Sequence, residues 1–91
     1  MESVRMEEIK RLGGKLEALE EVLKMVDETD RAIWEEGYYY DRKQFQAERE
    51  GDTELAKYYA EQASNKRAIN SELCGLTSWL EQKIEDIKGE M

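Results

Sequence analysis

One apolar seam runs almost the full length of this chain and is interrupted only once. Ile9, Leu12, Leu16, Leu19, Leu23, Val26, Asp30, Ile33, Gly37, Tyr40, Gln44 and Ala47 follow alternating steps of three and four. That is the spacing of a long helix with a single buried stripe. The pattern lapses at Arg49-Glu50-Gly51-Asp52-Thr53-Glu54 and resumes as Leu55, Tyr59, Gln62, Lys66, Ile69, Leu73, Leu76, Leu80, Lys83 and Ile87. Gly51 suits the residue just past a helix end, and Asp52 or Thr53 suits the next N-cap. The chain contains no proline that would break either run. The expected fold is all-α, a long antiparallel helical hairpin forming one domain over 1–91, with helices over 15–50 and 53–88. Such hairpins pack into helical bundles by oligomerisation.

A tight turn at 51–52 fixes the register. Leu23 is expected opposite Leu80, Val26 opposite Leu76, Ile33 opposite Ile69 or Asn70, and Leu16 opposite Ile87. Two places strain the pattern. Gly13-Gly14 costs roughly 2 kcal/mol of helix propensity, so residues 2–12 are expected as a separate short arm or a frayed end. Asp27-Glu28-Thr29-Asp30 falls beside Asn70, Ser71, Cys74, Gly75 and Thr77, which places the poorest helix formers of both segments in one layer. The alternatives there are a break giving three helices, or a buried polar layer that fixes register. In the second case Asp30 is expected to bond to Ser71, Thr77 or a backbone group.

Charge narrows the partners. The net charge is −8, which opposes direct binding to nucleic acid, where lysine and arginine must neutralise phosphates. It equally opposes docking on anionic membranes. Residues 1–30 carry 5 basic and 9 acidic side chains, residues 31–67 carry 7 and 8, and residues 68–91 carry 2 and 5. A hairpin therefore gathers its acidity at the open end and leaves the turn half near neutral. No run of roughly 20 apolar residues exists to span a bilayer. The first eight residues lack an apolar signal-peptide core, so a cytoplasmic location is expected.

Catalysis has little to work with. There is no histidine and a single cysteine, Cys74, which excludes the usual zinc ligand sets. Cys74 falls one position after Leu73 and reads as a small core thiol without a base to activate it. Adjacent carboxylates such as Glu20-Glu21 and Glu35-Glu36 point to different sides of a helix. No phosphate-cradling glycine motif is present. The expectation is no enzyme, no cofactor and no metal. In size and architecture the chain resembles the small acidic helical hairpins of type VII secretion. Their Trp-x-Gly motif has a counterpart one residue too long in Trp34-Glu35-Glu36-Gly37, placed well before the turn, and no function is carried across.

The aromatic residues are the most informative. Seven of the eight lie between positions 34 and 59. Tyr40 and Tyr59 belong to the seam. Trp34, Tyr38, Tyr39, Phe45 and Tyr58 do not, and neither does Trp79. A hairpin has one seam and cannot bury them all, so the first five are read as partner-binding anchors. Gly37, Tyr40 and Lys66 meet at a second place, where a missing side chain faces a long cation. That notch is read either as filled by the lysine stem or as a small anion pocket.

The function expected from these features is a non-enzymatic helical interaction module that assembles with itself, as a dimer or larger, and with another protein. A small inhibitor or adaptor of the kind phage and mobile elements carry fits the size and acidity. The alternatives are an acidic DNA mimic that blocks a nucleic-acid enzyme, in the manner of anti-CRISPR proteins, and a binder of a small anionic ligand at the notch.

Overall fold

The computed structural model describes residues 2–91. Two helices, α1 (Glu2–Arg49) and α2 (Thr53–Glu90), are joined by a tight turn and lie side by side along their length. The molecule measures 75 × 15 × 12 Å, with a radius of gyration of 20.9 Å. A compact domain of this length would have a radius of about 12 Å.

The turn follows from its residues. Gly51 takes φ +77°, the left-handed conformation that glycine adopts without steric cost. The Gly51 N–H donates to Glu48 O at 3.1 Å and the Asp52 N–H to Ala47 O at 2.9 Å. This paired closure satisfies carbonyls that the end of a helix leaves open. Asp52 then caps α2, its carboxylate accepting from the Leu55 N–H at 3.0 Å.

The helices are longer than the heptads alone indicate. α1 runs unbroken through Gly13-Gly14 and through residues 27–30. Among the described residues there is no separate arm over 2–12 and no third helix. Extending a helix that already exists adds one hydrogen bond per residue fixed, and the costly nucleation step is not repeated. Glu7, Glu8, Ile9, Lys10, Arg11 and Leu12 beside the glycines favour helix less weakly than they do. α1 has 48 residues and α2 has 38, so the start of α1 projects past the end of α2. Residues 4–11 are accordingly exposed, and Leu12 is the first buried position.

Along α1 the seam is the expected one from Leu12 onward; Ile9, placed in it by its spacing, is exposed because α1 there runs beyond the end of α2. Leu12, Val26, Gly37 and Ala47 are buried, and Leu16, Leu19, Leu23, Asp30, Ile33, Tyr40 and Gln44 are half-buried. Along α2 every second position differs. Ala56, Ala63, Asn70, Leu80 and Ile84 are buried, with Tyr59, Lys66, Leu73, Thr77 and Ile87 half-buried between them. Leu55, Ile69, Leu76 and Lys83, expected in the seam, are exposed. In the layer of Val26 the seam position therefore belongs to Thr77. The helix is rolled by one residue toward its alanines. Small side chains let the backbones approach, and the roll carries Asn70 inward to a polar partner.

That partner is Asp30. The Asn70 side-chain amide donates to Asp30 Oδ1 at 2.7 Å and to Asp30 O at 3.1 Å. The expected polar layer is present, but it is closed by Asn70 and not by Ser71 or Thr77. Among the described residues no buried side-chain nitrogen or oxygen lacks a partner. The roll also moves Cys74, which is exposed and not part of the core. Among the described residues no helix is long and apolar enough to cross a membrane.

A candidate interaction surface on two faces

Two helices side by side form a layer with two faces, and cross-helix ion pairs identify them. Arg67 reaches Asp41 at 2.7 Å on one face. Lys66, the preceding residue, reaches Glu36 at 2.6 Å on the other. From each of these residues, steps of three and four along a helix trace a row on the same side.

The row through Asp41 contains Trp34, Tyr38 and Phe45. All three are exposed, at 45%, 56% and 61%. Trp34 and Tyr38 lie with ring centroids 5.7 Å apart, and the Arg49 guanidinium sits 5.8 Å from the centre of the Phe45 ring. Beside them α2 presents the row through Arg67, with Lys57, Ala60 and Ser64 toward the turn and Ser71, Cys74 and Ser78 running on toward the open end. Three large rings on one helix thus border a row of small and basic residues on the other. This is the Trp34 face.

The row through Glu36 contains Val22, Met25 and Tyr39. The matching row of α2 contains Leu55, Tyr58, Ile69, Leu76 and Trp79, spaced throughout by steps of three and four or their sums. Every one of these eight is exposed. Four tyrosines tie the two helices together on this side. Tyr39 contacts Tyr40 at 5.3 Å, Tyr40 contacts Tyr59 across the seam at 6.2 Å, and Tyr59 contacts Tyr58 at 5.5 Å between ring centroids. Lysines stack at both ends, Lys43 over Tyr39 at 5.7 Å and Lys83 over Trp79 at 5.5 Å. This is the Tyr58 face.

The five aromatic anchors expected from the sequence are therefore all at the surface, but not in one patch. Trp34, Tyr38 and Phe45 share one face; Tyr39 and Tyr58 belong to the other. The larger apolar row, carried by Leu55, Ile69 and Leu76, was not expected there because these residues were placed in the seam. The signal that would have found it is the competing heptad Ala56, Ala63, Asn70, Thr77 and Ile84.

The Gly37–Lys66 notch closes on itself. A Cβ built at Gly37 would lie 3.7 Å from Lys66 Cβ, so the lysine stem packs over the glycine and leaves room there for no more than a methyl group. The ammonium turns to Glu36, and the hydrogen bond to that carboxylate raises the Lys66 pKa above its usual value, with the charges of Glu36 and Tyr40 adding to the effect and desolvation opposing it. Its positive charge is thus already paired within the chain. Among the described residues no cluster of three or more histidine, cysteine, aspartate or glutamate side chains is placed to hold a metal ion.

The largest excess of acid over base lies on the outer edges of the layer. Glu21, Glu28 and Glu35 follow one another at intervals of seven along α1, with Glu7 two such intervals before Glu21, and Glu54 and Glu61 are seven apart along α2. All are exposed. The faces themselves carry nearly balanced charge. No protein-family model matches the chain, and neither a curated protein nor a solved structure does.

Proposed function

We propose that this chain is a non-enzymatic helical interaction module that works by stacking other helices onto its two faces, one of them supplied by another protein. The observation that carries the reading is order. The exposed large hydrophobic residues of the hairpin's body fall into rows at helical spacing, whereas isolated surface residues scatter. Rows of this kind bordered by charged edges are what a helix of a bundle offers its neighbours. The Trp34 face suits a partner protein, because Trp34, Tyr38 and Phe45 supply large rigid anchors of the type that dominate binding energy. A small adaptor or inhibitor is the setting that fits the size.

The acidic edges favour the competing reading of a DNA mimic that occupies the basic channel of an enzyme. The two readings separate in one experiment on the partner recovered from the native host. Anchoring by the rings predicts that Trp34→Ala or Tyr38→Ala costs about 2 kcal/mol or more of affinity, with little dependence on salt. Mimicry predicts steep salt dependence and near silence of the ring substitutions. A Trp34→Ala protein that keeps its mass, helicity and full partner affinity would remove the ring-anchored reading. Binding of a small anion at the notch is the weakest candidate, since Lys66 already holds a carboxylate.

A further inference from the structure

We propose that the Tyr58 face is covered by a second copy of this chain, laid turn to open end. The inference rests on the interaction-module reading and assigns one face an occupant.

Area comes first. The chain exposes 7118 Å², where a compact monomer of its mass exposes about 5,500 Å². The excess, about 1,600 Å², lies within the share that each subunit of an obligate homodimer buries, roughly 1,000–2,500 Å². A face-to-face stack of two such layers is the direct way to remove it, and it turns two hairpins into a four-helix bundle.

Charge sets the direction. Residues 1–30 and 68–91 together carry net −7, while residues 31–67 carry net −1. Stacking the copies with their turns at the same end would lay one acidic half on another. Turn-to-open-end stacking lays each acidic half on a near-neutral one, and the acidic outer edges stay in water.

The row itself is self-complementary. A twofold axis at right angles to the helices lays α2 antiparallel on α2 of the other copy. Centred on Ile69, the middle of the row, it brings Ile69 onto its own counterpart, Tyr58 onto Trp79, and Leu55 onto the stem of Lys83. Asn65 falls beside Glu72. Between Leu55 and Lys83 no like charges are superposed.

The test uses the full chain. Light scattering should give twice the 10.7 kDa chain mass, and Ile69→Lys combined with Leu76→Lys should weaken association at least tenfold while the helical circular dichroism persists. Trp34→Ala combined with Tyr38→Ala should leave the dimer intact. A wild-type monomer at high micromolar concentration, or a dimer broken by the Trp34-face pair and untouched by the lysines, overturns the proposal. Direction is read by cross-linking, which does not depend on the lysine variant folding. Chains carrying Glu54→Cys and chains carrying Gln82→Cys, each with Cys74→Ser, are mixed and treated with a short bis-maleimide. Linkage of one kind of chain to the other is expected. An intact dimer that does not link, or that links Glu54→Cys chains only to each other, overturns the arrangement. Partner affinity measured on the Trp34-face variants is a separate readout, so a failed dimer and a failed interaction module are told apart.

Discussion

Toward the turn the buried seam positions are Gly37, Ala47, Ala56 and Ala63, with the Tyr40–Tyr59 pair half-buried between them; toward the open end they are Leu12, Val26, Leu80 and Ile84. The first group contributes little apolar area and permits close backbone approach. The second contributes area. Outside the seam the order is reversed. The turn half carries most of the large rings on its surface, and the open half carries most of the excess acid. Where the hairpin keeps small residues inside, it has bulk left over for partners; where it keeps bulk inside, it presents charge. The Asp30–Asn70 layer marks the boundary between the two regimes.

The comparison breaks most sharply under substitutions of opposite sense. Leu80→Ala, at a position 2% exposed, should lower stability by about 2–5 kcal/mol. Enlarging Ala63, 1% exposed, to Leu should lower it by about 1–3 kcal/mol, because the helices there have no room to give. Denaturant unfolding at one fixed chain concentration reads both. An Ala63→Leu protein as stable as the parent would mean that the turn half is not close-packed at all.

The boundary layer comes next. Asp30→Leu leaves the buried Asn70 amide without its carboxylate partner, and a loss of about 1–3 kcal/mol is expected. Replacing Asp30 and Asn70 together by leucine should recover that loss, since both polar groups are then gone. If the single change raises the melting temperature on its own, the pair contributes nothing to stability.

A gain is expected at Gly37. The added Cβ of Gly37→Ala meets only Lys66 Cβ at ordinary contact distance, and alanine favours helix by about 1 kcal/mol over glycine. A melting temperature below that of the parent would show that close approach needs the glycine. The smallest effect is on pH. The Lys66 pKa is raised in the folded chain by its bond to Glu36. Its contribution is therefore present below the unfolded lysine pKa and fades as pH rises through the higher folded value. A pH titration of thermal stability should show a slight alkaline decline that Glu36→Gln removes.

Much of this architecture was legible in the chain. The alternation of three and four in α1, the glycine followed by a capping aspartate, and the polar layer at Asp30 are local or strictly periodic signals, and each appears where expected. What could not be read was the rotation of α2. Leu55, Ile69 and Leu76 compete with Ala56, Asn70 and Thr77 for the same seam, and hydrophobicity alone favours the larger set. The structure takes the smaller one, because close approach and the Asn70 bond to Asp30 depend on the other helix. The same rotation decides which aromatic residues share a face, so the candidate surface was legible as a set of residues but not as a geometry.

The turn has a consequence for how the chain folds. Once Gly51 and Asp52 reverse the backbone, each layer of the seam closes a loop only slightly larger than the one before. Asp41 and Arg67 are 26 residues apart, and Asp30 and Asn70 are 40. Loop-closure entropy grows so slowly with length that a doubling costs only about 0.6 kcal/mol. The layers can therefore zip outward from the turn. The layers nearest it form across the shortest loops and have the least apolar area to hold them; the farthest layers close the longest loops and have the most. Ease of closure and strength of adhesion run in opposite directions along the molecule, so neither end is both quick to form and hard to open.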